Sequence, residues 1–521
     1  NRNKAWNLVG RVHFNLAENR KDEEAPFAFL ATYTQRLSAA GKAQHLPLGR
    51  ALEEYAGARN RERLLSLLLP VQRAAQHCPW LEAMVDTGDI YHPLRWTPAD
   101  AMELLRDVPS LERAGVIVRM PTNWPKGRPA RPQVKATVGE SAPSQVGLDA
   151  LLDFDLSVAL DGDTLTAAEV EALLAHTSGL TLIRGKWVEI DRERLSETLA
   201  RFEEIEQHAQ DGGLSFREAM RLLAGTGIGA ADAGGTTADW GQTIAGPWLA
   251  DTLTRLRKSG AAAKADPGPD LKATLRPYQQ AGVAWLNLLA QLRLGACLAD
   301  DMGLGKTIQI ISLLLVHNRQ RRAAGQEAAQ PSIHEAPSSL LANRAAEIDR
   351  FPHGLEAEIA HPSEMAVDER KTLDSDALAG ADLVITSYGT LRRAPHLSAM
   401  SWQFAILDEA QAIKNAAAKQ TKAVKQLDAQ ARIALTGTPI ENRLGDLWSI
   451  FDFLNPGLLG SGNEFTALTK KLAEREHNAY GPLRELTTPY ILRRLKTDKS
   501  IIADLPDKTE VKAFCALSRK Q

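Results

Sequence analysis

Three short stretches of this chain hold residues whose types and spacing suit phosphate chemistry. The first, Leu298 to Gln309, reads LADDMGLGKTIQ. Gly-Lys-Thr is how a phosphate-binding loop ends: backbone N–H groups and the lysine surround a polyphosphate, and the hydroxyl reaches a magnesium ion. The usual loop places a glycine five residues before its last one, and here that position is Asp300. Lys306 is expected on the β- and γ-phosphates and Thr307 on Mg²⁺, with Gly303 and Gly305 permitting close backbone approach. The second stretch, Trp402 to Asn415, reads WQFAILDEAQAIKN. Its Asp408 suits a water-mediated hold on Mg²⁺, and Glu409 suits positioning of an attacking water. The third, ALTGTPIEN from Ala434 to Asn442, sets the hydroxyls of Thr436 and Thr438 around a glycine, as a loop beneath phosphates would need.

Each stretch alone has a plainer meaning, because a glycine turn, a solvated Asp-Glu or a Thr-Gly-Thr turn is common. The elements around them decide. LRPYQQAGVAWLNLLAQLRLG reads as an amphipathic helix, ACLAD as a short buried strand and IQIISLLLVH as a helix. Strand, glycine turn, Lys-Thr and helix is the context a phosphate loop requires, with the anion at a helix N-terminus. Phe404 to Leu407 reads as a buried strand ending at Asp408, and Arg432 to Leu435 as another ending at Thr436. In an open α/β sheet, ligands bind outside such carboxyl ends.

The order LRPYQ, DDMGLGKT, TSYGTL, LDEAQAIKN and LTGTPIENRLGDLWSIFDFLNPGLLG resembles the superfamily-two, Swi/Snf-type DNA translocases, over roughly 271–512. That family's first motif ordinarily has an acid where other phosphate loops have their first glycine, which fits Asp300. The resemblance implies an α/β fold: a RecA-like parallel sheet flanked by helices, the first lobe of a motor. It also implies use of ATP with Mg²⁺ and passage along double-stranded DNA without strand separation. By position, Gln279 would read adenine, and Gly303, Leu304, Gly305, Lys306 and Thr307 would hold the nucleotide. Asp408 and Glu409 would serve metal and water, with Gln411 completing the box. Thr436 and Thr438 would couple nucleotide to DNA. Ser387, Tyr388 and Lys414 lie in segments that touch the DNA backbone in this family. Residues from about Trp124 to Phe202 are similar to a domain found ahead of bacterial members.

The chain departs from the family's pattern at SIHEAPSSLLANR. His334 and Glu335 fall where buried apolar side chains are usual, and Arg344 stands where the family has Trp. Charge in a central parallel strand is costly unless paired. No Q-x-x-x-R-x-x-R arginine motif of a second lobe occurs in the 521 residues. The expectation is therefore an N-terminal half of a motor that hydrolyses ATP poorly by itself, because an arginine finger contributes about 10³–10⁵ in rate.

Ahead of the motor, Val12 to Leu16 and Phe27 to Tyr33 read as strands paired around the charged turn NRKDEE, and 48–118 reads as mostly helical. Thr97-Pro98-Ala99-Asp100, Thr166-x-x-Glu169 and Ser215-x-x-Glu218 read as helix starts. PTNWPKGRPARPQVK, Pro121 to Lys135, reads as an exposed connector, with a nucleic-acid contact as the alternative. GTGIGAADAGG follows a helix rather than a strand, so a linker is the expectation there rather than a dinucleotide loop. The boundaries expected are a mostly helical region 1–122, a mixed α/β domain 123–230, a linker 231–270, the lobe 271–512 and a connection 513–521.

At 44% hydrophobic and 24% charged residues the composition is that of a globular protein. A net charge of −2 leaves any DNA contact to a local patch. Three dispersed cysteines speak against a zinc site or disulfide framework, and no apolar run is long enough to span a membrane. A cytoplasmic protein, with protein partners through its N-terminal region and an oligomeric state left open, is the expectation. The competing reading is a non-catalytic scaffold that binds nucleic acid or protein; the intact Lys306, Thr307, Asp408 and Glu409 weigh against it. A kinase or small GTPase is a third reading; no guanine-reading Asn-Lys-x-Asp occurs.

Overall fold

The computed structural model describes residues 11–498, apart from 20, 38–42, 56–60, 125–126, 176–177, 228–239, 259–262, 326–329, 352–353, 366–377, 379, 439–442 and 476–477. The connection at 513–521, most of GTGIGAADAGG and the end of TGTPIEN therefore lie outside the described residues. The chain divides into two compact units. One comprises Asn1–Ala136, Leu156–Glu204 and Thr237–Gln242; the other comprises Thr137–Asp155, Ile205–Thr236 and Thr243–Gln521.

In the first unit the alternating residues of Val12–Glu18 pair antiparallel with Phe27–Leu37, from Val12 opposite Tyr33 to Glu18 opposite Phe27. Alternation sends Phe14 and Leu16 inward, where they meet Phe27 and Phe29 from the partner strand. Thr97 caps the helix Pro98–Ala114 in a reciprocal box with Asp100, and Gly115 ends it with a left-handed φ of 99°. The expectation of an exposed connector at Pro121 to Lys135 is overturned. Trp124 is 5% exposed and meets Phe27 edge-on, and Pro132–Val138 is a strand whose alternate residues are buried. Arg131 pairs with Glu189 through two hydrogen bonds of 2.7 and 2.8 Å and lies over the Trp240 ring. Prolines at a strand's start and turns just before it made a packed segment look like a linker.

The second unit holds a seven-stranded parallel sheet. Its strands are β1 (Ala296–Leu298), β2 (Ser332–Ala336), β3 (Ala357–Ile359), β4 (Leu383–Ser387), β5 (Ser401–Leu407), β6 (Asp428–Leu435) and β7 (Ile491–Leu492). They lie in the order β3-β4-β2-β5-β6-β1-β7, every neighbouring pair parallel. Parallel neighbours need crossovers, and helices supply them. Among these are α2 (Lys306–Ala323) after β1 and α3 (Leu341–Arg350) after β2, while α1 (Pro277–Gln291) leads into β1. This is the α/β lobe expected from the motifs. The order places β1 beside β6 and β6 beside β5, so the carboxyl ends bearing the three chemical stretches are neighbours. Two upstream helices belong to the same unit. Trp285 on α1 donates to the Leu256 carbonyl at the end of Pro247–Arg257. Arg217 on Phe216–Leu223, the helix capped by Ser215 and Glu218, donates to the Pro456 carbonyl.

Strand β2 keeps its place despite its charges: all five residues are buried, with His334 at 2% and Glu335 at 0% exposure. Neither Glu335 carboxyl oxygen has a hydrogen-bond partner. Burial pushes the Glu335 carboxyl up to about 8 and His334 down to about 4, so both are held neutral rather than paired.

Candidate nucleotide site

The loop after β1 bends through Gly303 (φ 81°) and Gly305 (φ 78°) before α2 starts at Lys306. A Cβ on Gly305 would lie 2.5 Å from Gln279 Nε2, so this glycine serves close packing as well as its left-handed backbone. Lys306 folds back and donates to the Asp300 carbonyl at 2.7 Å. Burial lowers its pKa, and Glu409, Asp300, Asp408 and Asp301 pull against that.

Asp300, the residue that replaces the loop's first glycine, is a fully buried structural anchor. Arg494, 4% exposed and just past β7, grips both of its carboxyl oxygens. The same guanidinium donates to Gln309 Oε1 on α2 at 2.8 Å and to the Tyr278 carbonyl on α1. Tyr278 and Gln279 both donate to the Leu304 carbonyl, at 3.1 and 3.2 Å. Gln279 also accepts from the Arg276 amide through its Oε1 at 2.9 Å. Gln279 thus braces the phosphate loop with its Nε2 while its Oε1 caps the start of its own helix.

Asp408 stands at the end of β5, 1% exposed, where its Oδ1 accepts from the Glu409 amide. Glu409 itself has a left-handed backbone (φ 50°, ψ 58°), which turns the chain sharply as it leaves the strand. From its Oε2 a line of hydrogen bonds crosses to the third stretch. Gln411 Nε2 donates to Glu409 at 2.7 Å, Thr436 Oγ1 donates to Gln411 Oε1 at 3.1 Å, and the Thr438 amide donates to Thr436 Oγ1 at 3.1 Å. The four residues singled out in two separate stretches thus form one network.

The turn after β4, one of the segments expected to touch a DNA backbone, has two of its side chains turned inward. Ser387 (2% exposed) caps the next turn by accepting from the Thr390 amide. Tyr388 (5% exposed) donates to the Asp408 carbonyl at 2.7 Å. The exposed groups nearby are Gly389, Arg392, Arg393 and, after the Asp-Glu box, Lys414.

Three participants were not legible as site residues: Arg494, Gln309 and Arg344. Arg344, on α3, donates from Nε to Asp408 Oδ2 at 2.6 Å and from Nη1 to Thr307 Oγ1 at 2.7 Å and Glu347 Oε2 at 2.6 Å. A buried acid at position 300 was the sequence signal that a buried cation must exist; nothing local to LRRLK says which arginine.

Gly-rich turn, lysine and hydroxyl at one strand end, Asp-Glu at another and the bridge between them define the class: a phosphate-loop nucleotide lobe on a parallel sheet. Residues 278–521 match the family model described as SNF2-related domain, and 89–224 match one described as SNF2 Helicase protein. The lobe belongs to the SNF2-related family. A similar protein, from Bacillus subtilis, is described as "Putative ATP-dependent helicase/translocase YwqA"; it is 37% identical over 85% of this chain and 47% of its own length. A TATA-binding protein-associated factor, BTAF1 of Arabidopsis thaliana, is 38% identical over 48% of this chain and 13% of its own. A Sulfolobus solfataricus SWI2/SNF2 ATPase core in complex with dsDNA aligns at 42% identity over 48% of this chain and 51% of that one, TM-score 0.40. The chain spans about half the length of the Bacillus relative.

Proposed function

We propose that this chain carries the nucleotide-binding lobe of an ATP-dependent translocase acting on double-stranded DNA. The observation that carries the reading is the Glu409–Gln411–Thr436–Thr438 line, which joins the hydrolytic carboxylate to the loop after β6 beside an intact Lys306 and Thr307. A scaffold would not need that linkage. The Bacillus relative's description as a helicase/translocase supports the same class.

Lys306, now closed onto the Asp300 carbonyl, would open to meet the β- and γ-phosphates. Amide groups at the start of α2 would add their aligned dipoles. Glu409, held by Gln411, would orient the attacking water. Thr307 Oγ1 and Asp408 Oδ2 fit a divalent cation, because the Arg344 guanidinium already bridges them as a stand-in positive charge. Among the described residues no three His, Cys, Asp or Glu side chains form a metal site by themselves. That suits Mg²⁺, which takes one or two protein oxygens and completes its shell with phosphates and water. When bound, Mg²⁺ would neutralise charge developing on the phosphates.

Duplex contact falls to exposed cations. Lys414, Arg392 and Arg393 lie around the strand ends, and Gly389 leaves its backbone open, so affinity for DNA should drop steeply with salt. The N-terminal unit remains a candidate surface for protein partners. Among the described residues no helix is long and apolar enough to cross a membrane, and Cys78 and Cys297 are buried free thiols; both accord with a cytoplasmic setting.

The test is nucleotide binding by the protein and two variants, with DNA-stimulated phosphate release read for the same three when the lobe is joined to a second motor lobe. Lys306→Ala should abolish binding. Glu409→Gln should bind but stop turnover. Unaltered behaviour in both would end the translocase reading.

A further inference from the structure

Arg344 bridges Thr307 and Asp408, the two oxygens assigned above to the nucleotide's metal, and holds Glu347 at the same time. Its side chain is 17% exposed, that of Asp408 2%. The guanidinium reaches three acceptors: Asp408 and Thr307 on the inside and Glu347 on the outside. Glu347 lies three residues further along α3, on the same face, and its side chain is 38% exposed. The arginine is therefore tied at once to the two metal-binding oxygens and to a partner at the rim.

We propose that Arg344 is a built-in competitor for the divalent cation: it closes the site between Thr307 and Asp408 when nucleotide is absent, and swings toward Glu347 when the metal-bound nucleotide enters. The proposal rests on the nucleotide-site reading above and adds a control to it. A guanidinium and a divalent cation cannot share the same carboxylate oxygen, since like charges repel strongly at contact distance in a half-buried site. Withdrawal needs only rotation of the arginine's own torsions, because Glu347 already binds it and can keep it at the rim. Burial alone would disfavour the Arg344 charge, yet Asp408 and Glu347 outweigh that and hold its pKa above the ordinary value. Motor relatives with Trp here, as the sequence resemblance implies, would lack this competitor.

The consequence is a penalty on metal-bound nucleotide only. Affinity falls by the fraction of molecules in which the site is open. The experiment measures binding of a fluorescent ATP analogue to the protein in excess magnesium and again in EDTA. Arg344→Gln should tighten binding in magnesium by about tenfold, the change expected if the site is closed about nine-tenths of the time. In EDTA the same substitution should leave affinity unchanged or weaker, because only a positive charge has been lost. Arg344→Lys, too short to bridge both oxygens, should move binding in the same direction by less. The proposal is overturned if Arg344→Gln fails to tighten binding in magnesium, or tightens it equally in EDTA. Lys306→Ala separates the two levels. If it abolishes binding while Arg344→Gln changes nothing, the nucleotide site stands and the competitor falls. If it binds as well as the unaltered protein, both fall.

Discussion

Arg494 and Asp300, 194 residues apart, form a buried ion pair, with Arg494 Nε 2.8 Å from Asp300 Oδ1 and a second bond to Oδ2. Through it the strand that leaves the lobe holds the start of the phosphate loop. The pair also contacts α1 through Tyr278 and α2 through Gln309. Asp300 therefore takes no part in replacing a phosphate-loop glycine's contact with the nucleotide; it anchors the loop from behind.

Removing one partner should leave the other as an uncompensated buried charge. Arg494→Met is expected to cost about 3–5 kcal/mol in urea unfolding. Pairing it with Asp300→Asn should recover much of the loss. A single variant as stable as the parent would show that the pair is not structural.

Gly282 lets α1 approach this cluster. A Cβ there would sit 1.9 Å from Gln309 Oε1 and 2.8 Å from Arg494 Nη2. Gly282→Ala, although alanine favours helices by about 1 kcal/mol over glycine, should destabilise the lobe. Thermal melting decides: a raised Tm would mean that propensity outweighs the clash.

The Gln411–Thr436 bond makes a kinetic prediction. Thr436→Val keeps the shape and removes the donor to Gln411 and the acceptor for the Thr438 amide. Nucleotide affinity should change little, while turnover, read with the lobe joined to a second motor lobe, should fall by about tenfold to a hundredfold as Glu409 loses its orientation. A fall in affinity with turnover preserved at saturation would contradict this arrangement.

Glu335 predicts a pH dependence. Its carboxyl is raised to about 8 by burial, from an ordinary 4.5. The folded form therefore holds the proton to higher pH than the unfolded chain does. Its stabilising contribution is whole below about pH 4.5, declines by up to about 1.4 kcal/mol per pH unit above that, and is lost by about pH 8. Glu335→Gln, which does not titrate, should flatten the fall in stability between pH 5 and 8. Urea unfolding at several pH values would show an unchanged slope if another group were responsible.

Much of the lobe was legible because its signals are local. Gly303-Leu304-Gly305-Lys306-Thr307 has to follow a strand and open a helix, and the apolar run before Asp408 has to be a buried strand. The capping residues Thr97, Thr166 and Ser215 each bond within their own first turn, so the sequence contains both partners. Pro121 to Lys135 misled for the same reason in reverse: its prolines and basic residues are local signs of a loop, while Trp124 is buried by residues about a hundred positions away.

The sequence by itself determined the chemistry available: a lysine and hydroxyl at a helix start, a carboxylate pair at a strand end, and a threonine loop to go with them. Only the tertiary structure decided how those groups are held before nucleotide arrives. Arg494 reaches Asp300, Tyr388 reaches the Asp408 carbonyl and Arg344 bridges Thr307 and Asp408, all across large separations in the chain. Such contacts follow from the strand order β4-β2-β5-β6-β1-β7 and from the need of each buried charge for a partner, and neither has a signature in any short window of residues.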